Sequence, residues 1–239
     1  TCALAGSDED LTQGTLTASC WGWNFWGQLG DGLRGEQGEM FPSPRAVAST
    51  LRFRSLTASY GHTCALEGDG TAWCWGVNSR GKLGVDPDGL VTGGSPLPLA
   101  VAGGHRFTTI AAGYDHTCAV DDLGNTSCWG ANFSGQLGNR SRTDASAPVV
   151  VDSLETFAQL VAGLGGTCGR TADGRVLCWG SDDAGQLGDG EPWGDATIVD
   201  VPRAVSGETR FTSIAMVGSH ACGLDAEGKA LCWGRNWSG

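Results

Sequence analysis

The clearest pattern along the chain is a short alternation of apolar and polar positions that recurs four times. It reads FRSLTAS from Phe53, FTTIAAG from Phe107, FAQLVAG from Phe157 and FTSIAMV from Phe211. Alternation with period two predicts half-buried β-strands. A second element follows each: TCAL at Thr63, TCAV at Thr117, TCGR at Thr167 and ACGL at Ala221, with a further TCAL at Thr1. A third ends in Cys-Trp-Gly, at Cys20, Cys74, Cys128, Cys178 and Cys232. Between the second and third lie Gly68-Asp69-Gly70, Leu123-Gly124-Asn125, Asp173-Gly174 and Glu227-Gly228. Glycine there supplies the positive φ of a tight hairpin turn. A weaker fourth strand is expected at Pro44 to Val47, Pro96 to Val101, Pro148 to Val151 and Val199 to Val205. Four antiparallel strands about every 50 residues predict an all-β fold, a β-propeller with about five blades present.

The repeat carries one more signature. Gly-[Gln/Lys]-Leu-Gly follows four of the five Cys-Trp-Gly strings, starting at Gly27, Gly81, Gly135 and Gly185. The second copy runs Tyr60-Gly61-His62-Thr63-Cys64-Ala65-Leu66, then Trp75-Gly76-Val77-Asn78 and Gly81-Lys82-Leu83-Gly84. This pattern resembles the regulator-of-chromosome-condensation repeat over essentially the whole chain. The resemblance implies a propeller, commonly of seven blades. Five cysteine hairpins but only four connecting halves leave one blade two strands short. The expectation is therefore a single propeller domain over residues 1–239, incomplete at both ends. It is part of a six- or seven-blade ring, or its open edge takes strands from a neighbouring chain.

The ten cysteines change the picture most. Four pairs have nine intervening residues centred on the hairpin turn: Cys64 with Cys74, Cys118 with Cys128, Cys168 with Cys178, and Cys222 with Cys232. Directly opposed residues of an antiparallel pair lie within disulfide reach. Cys2 and Cys20 pair around a longer turn carrying Ser7-Asp8-Glu9-Asp10, so every cysteine is used. Each bridge is worth at most about 3 kcal/mol by chain entropy. Zinc sites need closer cysteine spacings, and no cysteine is left over as a nucleophile. The resemblance supplies no reason for these cysteines, because nuclear members fold without them. They predict an oxidising compartment, secreted, cell-surface or periplasmic, and the localisation expected is secreted, extracellular or at the cell surface.

Composition narrows the function. A net charge of -11 argues against a nucleic-acid or anionic-membrane surface, and no apolar run approaches the ~20 residues of a membrane helix. His62, His116 and His220 recur at one repeat position and read as architectural; His105 reads as exposed. No hydrolase, metalloprotease or phosphate-loop motif occurs, so neither catalysis nor a cofactor or metal is expected. The non-repeating aromatics are the candidates for partner contact. Phe25, Phe133 and Trp237 share the position held elsewhere by Ser79 and Asp183, Trp26 follows Phe25, and Trp193 stands in a separate loop. Glycosylation sequons occur at Asn125, Asn132, Asn139 and Asn236. The expected function is a non-catalytic scaffold that binds other proteins through one loop face, with self-association through an open blade edge. The alternatives are a secreted inhibitor of an extracellular enzyme, or a lectin or enzyme acting on polysaccharide. The exchange-factor role of nuclear members does not carry over. Neither does the light sensing of plant photoreceptors of this fold, whose tryptophans are replaced here by Tyr60, Tyr114 and Leu164.

Overall fold

The computed structural model describes residues 1–13, 15–90, 93–191 and 198–237. Five antiparallel sheets follow one another along the chain. The first holds β1 (Cys2–Ala5), β2 (Thr17–Trp23) and β3 (Met40–Ala46). The second holds β4 (Phe53–Ala58), β5 (His62–Glu67), β6 (Ala72–Val77) and β7 (Gly94–Ala100). The third is β8 (Phe107–Ala112), β9 (His116–Asp121), β10 (Thr126–Gly130) and β11 (Ala145–Val150). The fourth is β12 (Phe157–Ala162), β13 (Gly166–Thr171), β14 (Val176–Ser181) and β15 (Ile198–Ala204). The fifth is β16 (Phe211–Val217), β17 (His220–Asp225) and β18 (Ala230–Gly234). In every four-stranded sheet the strands neighbour one another in chain order, which is the blade of a propeller. The two-strand shortfall expected of one blade is divided instead: among the described residues the first sheet has no inner strand and the fifth no outer one.

The alternating strands β4, β8, β12 and β16 lie innermost and contact one another in turn. They line an axial cavity of about 570 Å³ with small and apolar residues, among them Ala58, Ala112, Ala162 and Val217. The disulfides form between directly opposed residues, Cys2–Cys20, Cys64–Cys74, Cys118–Cys128, Cys168–Cys178 and Cys222–Cys232, with Cα atoms 4.0 to 4.1 Å apart. The turn in the first of these hairpins is a short helix, α1 (Asp8–Gln13), rather than a plain loop. Ser7 starts it: its hydroxyl accepts from Asp10 N–H at 3.2 Å, and the Asp10 carboxylate accepts from Ser7 N–H at 2.8 Å. That reciprocal pair is a capping box.

The hydrophobic core lies between successive sheets, and the repeated tryptophan builds it. In each sheet that has an outer strand, the pairing register slips between the cysteine and the glycine of Cys-Trp-Gly. The bulge leaves the tryptophan without a partner on the outer strand and re-aims it. Trp75, Trp129 and Trp179 are fully buried, each tilted against the phenylalanine that opens its own sheet, at 5.7 to 6.0 Å. Their indole N–H groups donate to the Gln28, Lys82 and Gln136 carbonyls of the preceding repeat at 2.9 to 3.0 Å. The last glycine of Gly-[Gln/Lys]-Leu-Gly is where the indole lands. A Cβ on Gly30 would sit 2.7 Å from Trp75 Nε1, and Gly30 has φ +72°. Two spaced motifs are thus the two halves of one inter-blade joint.

Candidate functional site

One face of the disc is built from two kinds of loop: the turns leaving the inner strands, and the loops that follow Cys-Trp-Gly. The second kind is fixed by an asparagine or aspartate. Leu29, Leu83, Leu137 and Leu187 donate their N–H groups to the side-chain oxygens of Asn24, Asn78, Asn132 and Asp182 at 2.8 to 3.0 Å. In three copies the glutamine of Gly-Gln-Leu-Gly accepts from a backbone N–H two residues before it: Gln28 from Trp26, Gln136 from Ser134, Gln186 from Ala184.

Lys82 occupies that glutamine's place in the second copy and does something different. Its buried ammonium donates to Tyr114 O at 3.0 Å and to Asp115 Oδ1 at 2.7 Å, both in the turn of the next blade. Burial lowers its pKa, and the Asp115 carboxylate opposes the shift. His62 and His116 flank this pair, fully buried. His62 Nε2 lies 2.9 Å from Thr117 Oγ1, and His116 Nε2 lies 2.8 Å from Thr167 Oγ1. Each threonine donates onward, to Lys82 O and Gln136 O respectively. The histidines therefore donate from Nε2, and each Nδ1 faces the interior without a partner among the described residues. Burial holds both pKa values down, that of His116 to about 4. These groups clamp blades together. His62, His116 and the Lys82 ammonium are shut off from solvent by this packing.

This face presents a row of aromatic rings, Tyr60 exposed and Trp23, Phe25, Trp26 and Tyr114 half-buried. Trp26 meets Phe25 edge-on at 4.6 Å, Phe25 stacks against Trp23 at 5.8 Å, Trp23 meets Tyr60 at 5.8 Å, and Tyr60 stacks on Tyr114 at 4.7 Å. The row crosses three blades and ends at the mouth of the axial cavity, which Tyr60, Tyr114 and Leu164 rim. Tyr60 is 57% exposed. Of the partner candidates read from the sequence, Phe25 and Trp26 belong to this row. Phe133 and Trp237 do not join it: they are exposed, but Arg80 lies 5.5 Å over Phe133 and Arg235 lies 3.1 Å over Trp237. Trp193 lies outside the described residues. Trp23, Tyr60 and Tyr114 were not among the candidates. Tyr60 and Tyr114 share one repeat position two residues before the histidine, which is the signal that could have found them.

Other expected sites resolve differently. Asn132 is fully buried, and its amide donates to Asn139 Oδ1, Ser141 O and Thr143 O, so it is closed to a glycosyltransferase. Asn139 is half-buried, while Asn125 and Asn236 are exposed. His105 is half-buried rather than free in solvent, stacked on Phe107 at 5.4 Å. Among the described residues no three of His, Cys, Asp or Glu are grouped so as to hold a metal ion.

Comparison with known proteins agrees with this geometry. Two profiles of the regulator of chromosome condensation (RCC1) repeat match, one over residues 20–66, 69–120 and 173–224, the other over 53–82, 107–136, 157–186 and 211–239. The ultraviolet-B receptor UVR8 of Arabidopsis thaliana is 31% identical over 153 residues, 62% of this chain and 33% of the receptor. The chain thus spans about a third of that relative's length. Human WBSCR16 superposes with a TM-score of 0.81 at 23% identity, over 98% of this chain and 60% of that one. Yeast RCC1 (Prp20), solved with Kap60 bound, superposes with a TM-score of 0.76 at 20% identity, over 93% and 52%. The joints between blades, the Gly-[Gln/Lys]-Leu-Gly loops that receive them and these matches have one reading: the chain belongs to the RCC1 repeat family.

Proposed function

We propose that the chain is a non-catalytic scaffold that binds a protein partner through its loop face, outside the cell or at its surface. The observation that carries this reading is the aromatic row from Trp26 to Tyr114, a run of ring contacts on rigidly held loops beside an open cavity mouth. Aromatic anchors on a rigid frame contribute binding energy at little entropic cost. The titratable residues beneath the face are spent on holding blades together, which leaves binding as its chemistry. Yeast RCC1, a protein of this fold, was solved with Kap60 bound. The extracellular part rests on the cysteines, all ten of them in cross-strand bridges, which reducing compartments do not maintain.

The test is capture of a protein from the fluid around the source cells by the immobilised chain, compared with Trp26→Ala and Tyr60→Ser. Loss of one specific partner in both variants supports the face. Undiminished capture by both discards it. Free thiols in the freshly isolated protein would overturn the extracellular assignment.

A further inference from the structure

Several aromatic rings near this face already carry a cation from the chain itself. Arg45 lies 4.5 Å over Phe41, Arg80 5.5 Å over Phe133, Lys82 6.0 Å over Tyr114 and Arg235 3.1 Å over Trp237. Among the described residues Trp26, Phe25, Trp23 and Tyr60 have none. The loop that follows the row also sets its charge. Residues 31–39 carry Asp31, Glu36 and Glu39 against Arg34. Gly35 N–H donates to Asn24 O at 3.0 Å, which seats this acidic loop against the root of the row. Asp31 is taken by Arg45 at 2.6 Å. The ion pairs among the described residues do not engage Glu36 or Glu39; the Glu39 carboxylate accepts from the Glu36 N–H at 2.9 Å. Ring faces are electron-rich and attract cations most strongly when carboxylates stand nearby and water is partly excluded. The chain as a whole adds a net charge of -11.

We infer that the row from Trp26 to Tyr60 is a receptor for basic side chains, and that the segment of the partner protein seated there presents arginine or lysine. This rests on the loop-face reading above and names the chemistry of its partner. An arginine would lie flat on Trp26 or Trp23, as Arg235 lies on Trp237, with Glu36 and Glu39 supplying the long-range attraction.

The probe is a set of three short peptides of equal length, rich in arginine, glutamate or serine, titrated against the intact chain by tryptophan fluorescence. The arginine peptide is expected to perturb the emission and bind, more weakly as salt is raised. Trp26→Ala and Tyr60→Ser should each weaken it about tenfold. Tyr60 is exposed, so its variant keeps the test valid if Trp26→Ala folds poorly. Equal binding of all three peptides overturns the inference, as does an arginine affinity unchanged in Tyr60→Ser. If the arginine peptide fails while partner capture still depends on Trp26 and Tyr60, the cation chemistry is wrong and the loop face stands. If capture is indifferent to both residues, the face reading itself has failed.

Discussion

The third and fourth blades are joined differently from the fourth and fifth, although the same repeat is on both sides. At the first joint His116 donates to Thr167, which donates to Gln136 O, all three buried; the joint between the second and third blades repeats this with His62, Thr117 and Lys82 O. At the joint between fourth and fifth, both partners are gone: Gly166 stands where the histidine would be and Ala221 where its threonine would be. The Met216 side chain takes the space, since a Cβ on Gly166 would come 3.0 Å from its Cε. Gln159 then grips the backbone of the fifth blade at both ends of its amide, donating to Ile214 O at 2.8 Å and accepting from Ile214 N–H at 3.0 Å. The paired loss teaches that histidine and threonine are one unit. A histidine without its threonine would leave a buried donor unmet, which costs about 1–3 kcal/mol, whereas a threonine without its histidine keeps its onward bond, as Thr63 does to Gln28 O at 3.0 Å. Removing both and filling the space leaves no donor unmet.

The largest expected difference between the two kinds of joint is their response to acid. His62 and His116 are held neutral by burial; His62 also faces Lys82 and His116, and His116 faces Lys82 and Asp115. Asp115 opposes the depression of His116 but does not overcome it. A histidine with a lowered folded-state pKa binds its proton first in the unfolded chain. Stability is therefore full above the unfolded pKa of 6.5 and is lost as pH falls from there to about 4. For His116 the full span is worth about 3 kcal/mol. Denaturant titrations at pH 7 and pH 4.5 should show this loss, and His116→Gly combined with Thr167→Ala should remove the share that belongs to His116 while that of His62 remains. An acid limb of equal depth in that double variant would break the comparison.

A double-mutant cycle at the same joint should give a smaller but sharper effect. Thr167→Ala alone leaves the His116 Nε2–H without an acceptor and should cost about 2 kcal/mol. The double variant, which copies the chemistry found at the next joint, should cost less than the sum of the two single changes. Additivity, read from denaturant midpoints, would mean that the histidine and threonine contribute separately and that their joint absence at Gly166 and Ala221 has no energetic meaning.

The sheets, their hairpins and all five disulfides were legible because each is local: the spacing of Cys64 and Cys74, the glycines between them and the alternation at Phe53 lie within one repeat. The capping box at Ser7 and Asp10 was equally local, and the helix it starts could have been read from those two residues. What lay beyond the sequence was everything decided by a neighbouring blade. Phe25, Phe133 and Trp237 occupy one repeat position, yet Arg80 of the preceding blade reaches Phe133 and Arg235 folds back on Trp237. Conversely Trp23, Tyr60 and Tyr114 come from two repeat positions in three blades and meet only when the blades pack. Lys82 reads as a variant of glutamine until Asp115 of the next blade is placed against it.

The smallest effect sharpens the comparison most, because it asks whether Gln159 replaces the lost clamp. The inner strands of the second and third blades are joined by Ala112 N–H to Thr57 Oγ1 at 3.2 Å and by the Arg54 guanidinium to Phe107 O, while those of the fourth and fifth share the two-ended grip on Ile214. Gln159→Leu keeps the side chain's bulk, removes both bonds and should cost about 1 kcal/mol. Native-state hydrogen exchange places the loss: protection of the Ile214 amide should fall several-fold, while that of Ala112 stays unchanged. A global loss shared by both amides would assign Gln159 to general stability. Unchanged exchange at Ile214 would leave packing around Met216 as the element that substitutes for the clamp, because the fifth blade would then be held without any polar bond from Gln159.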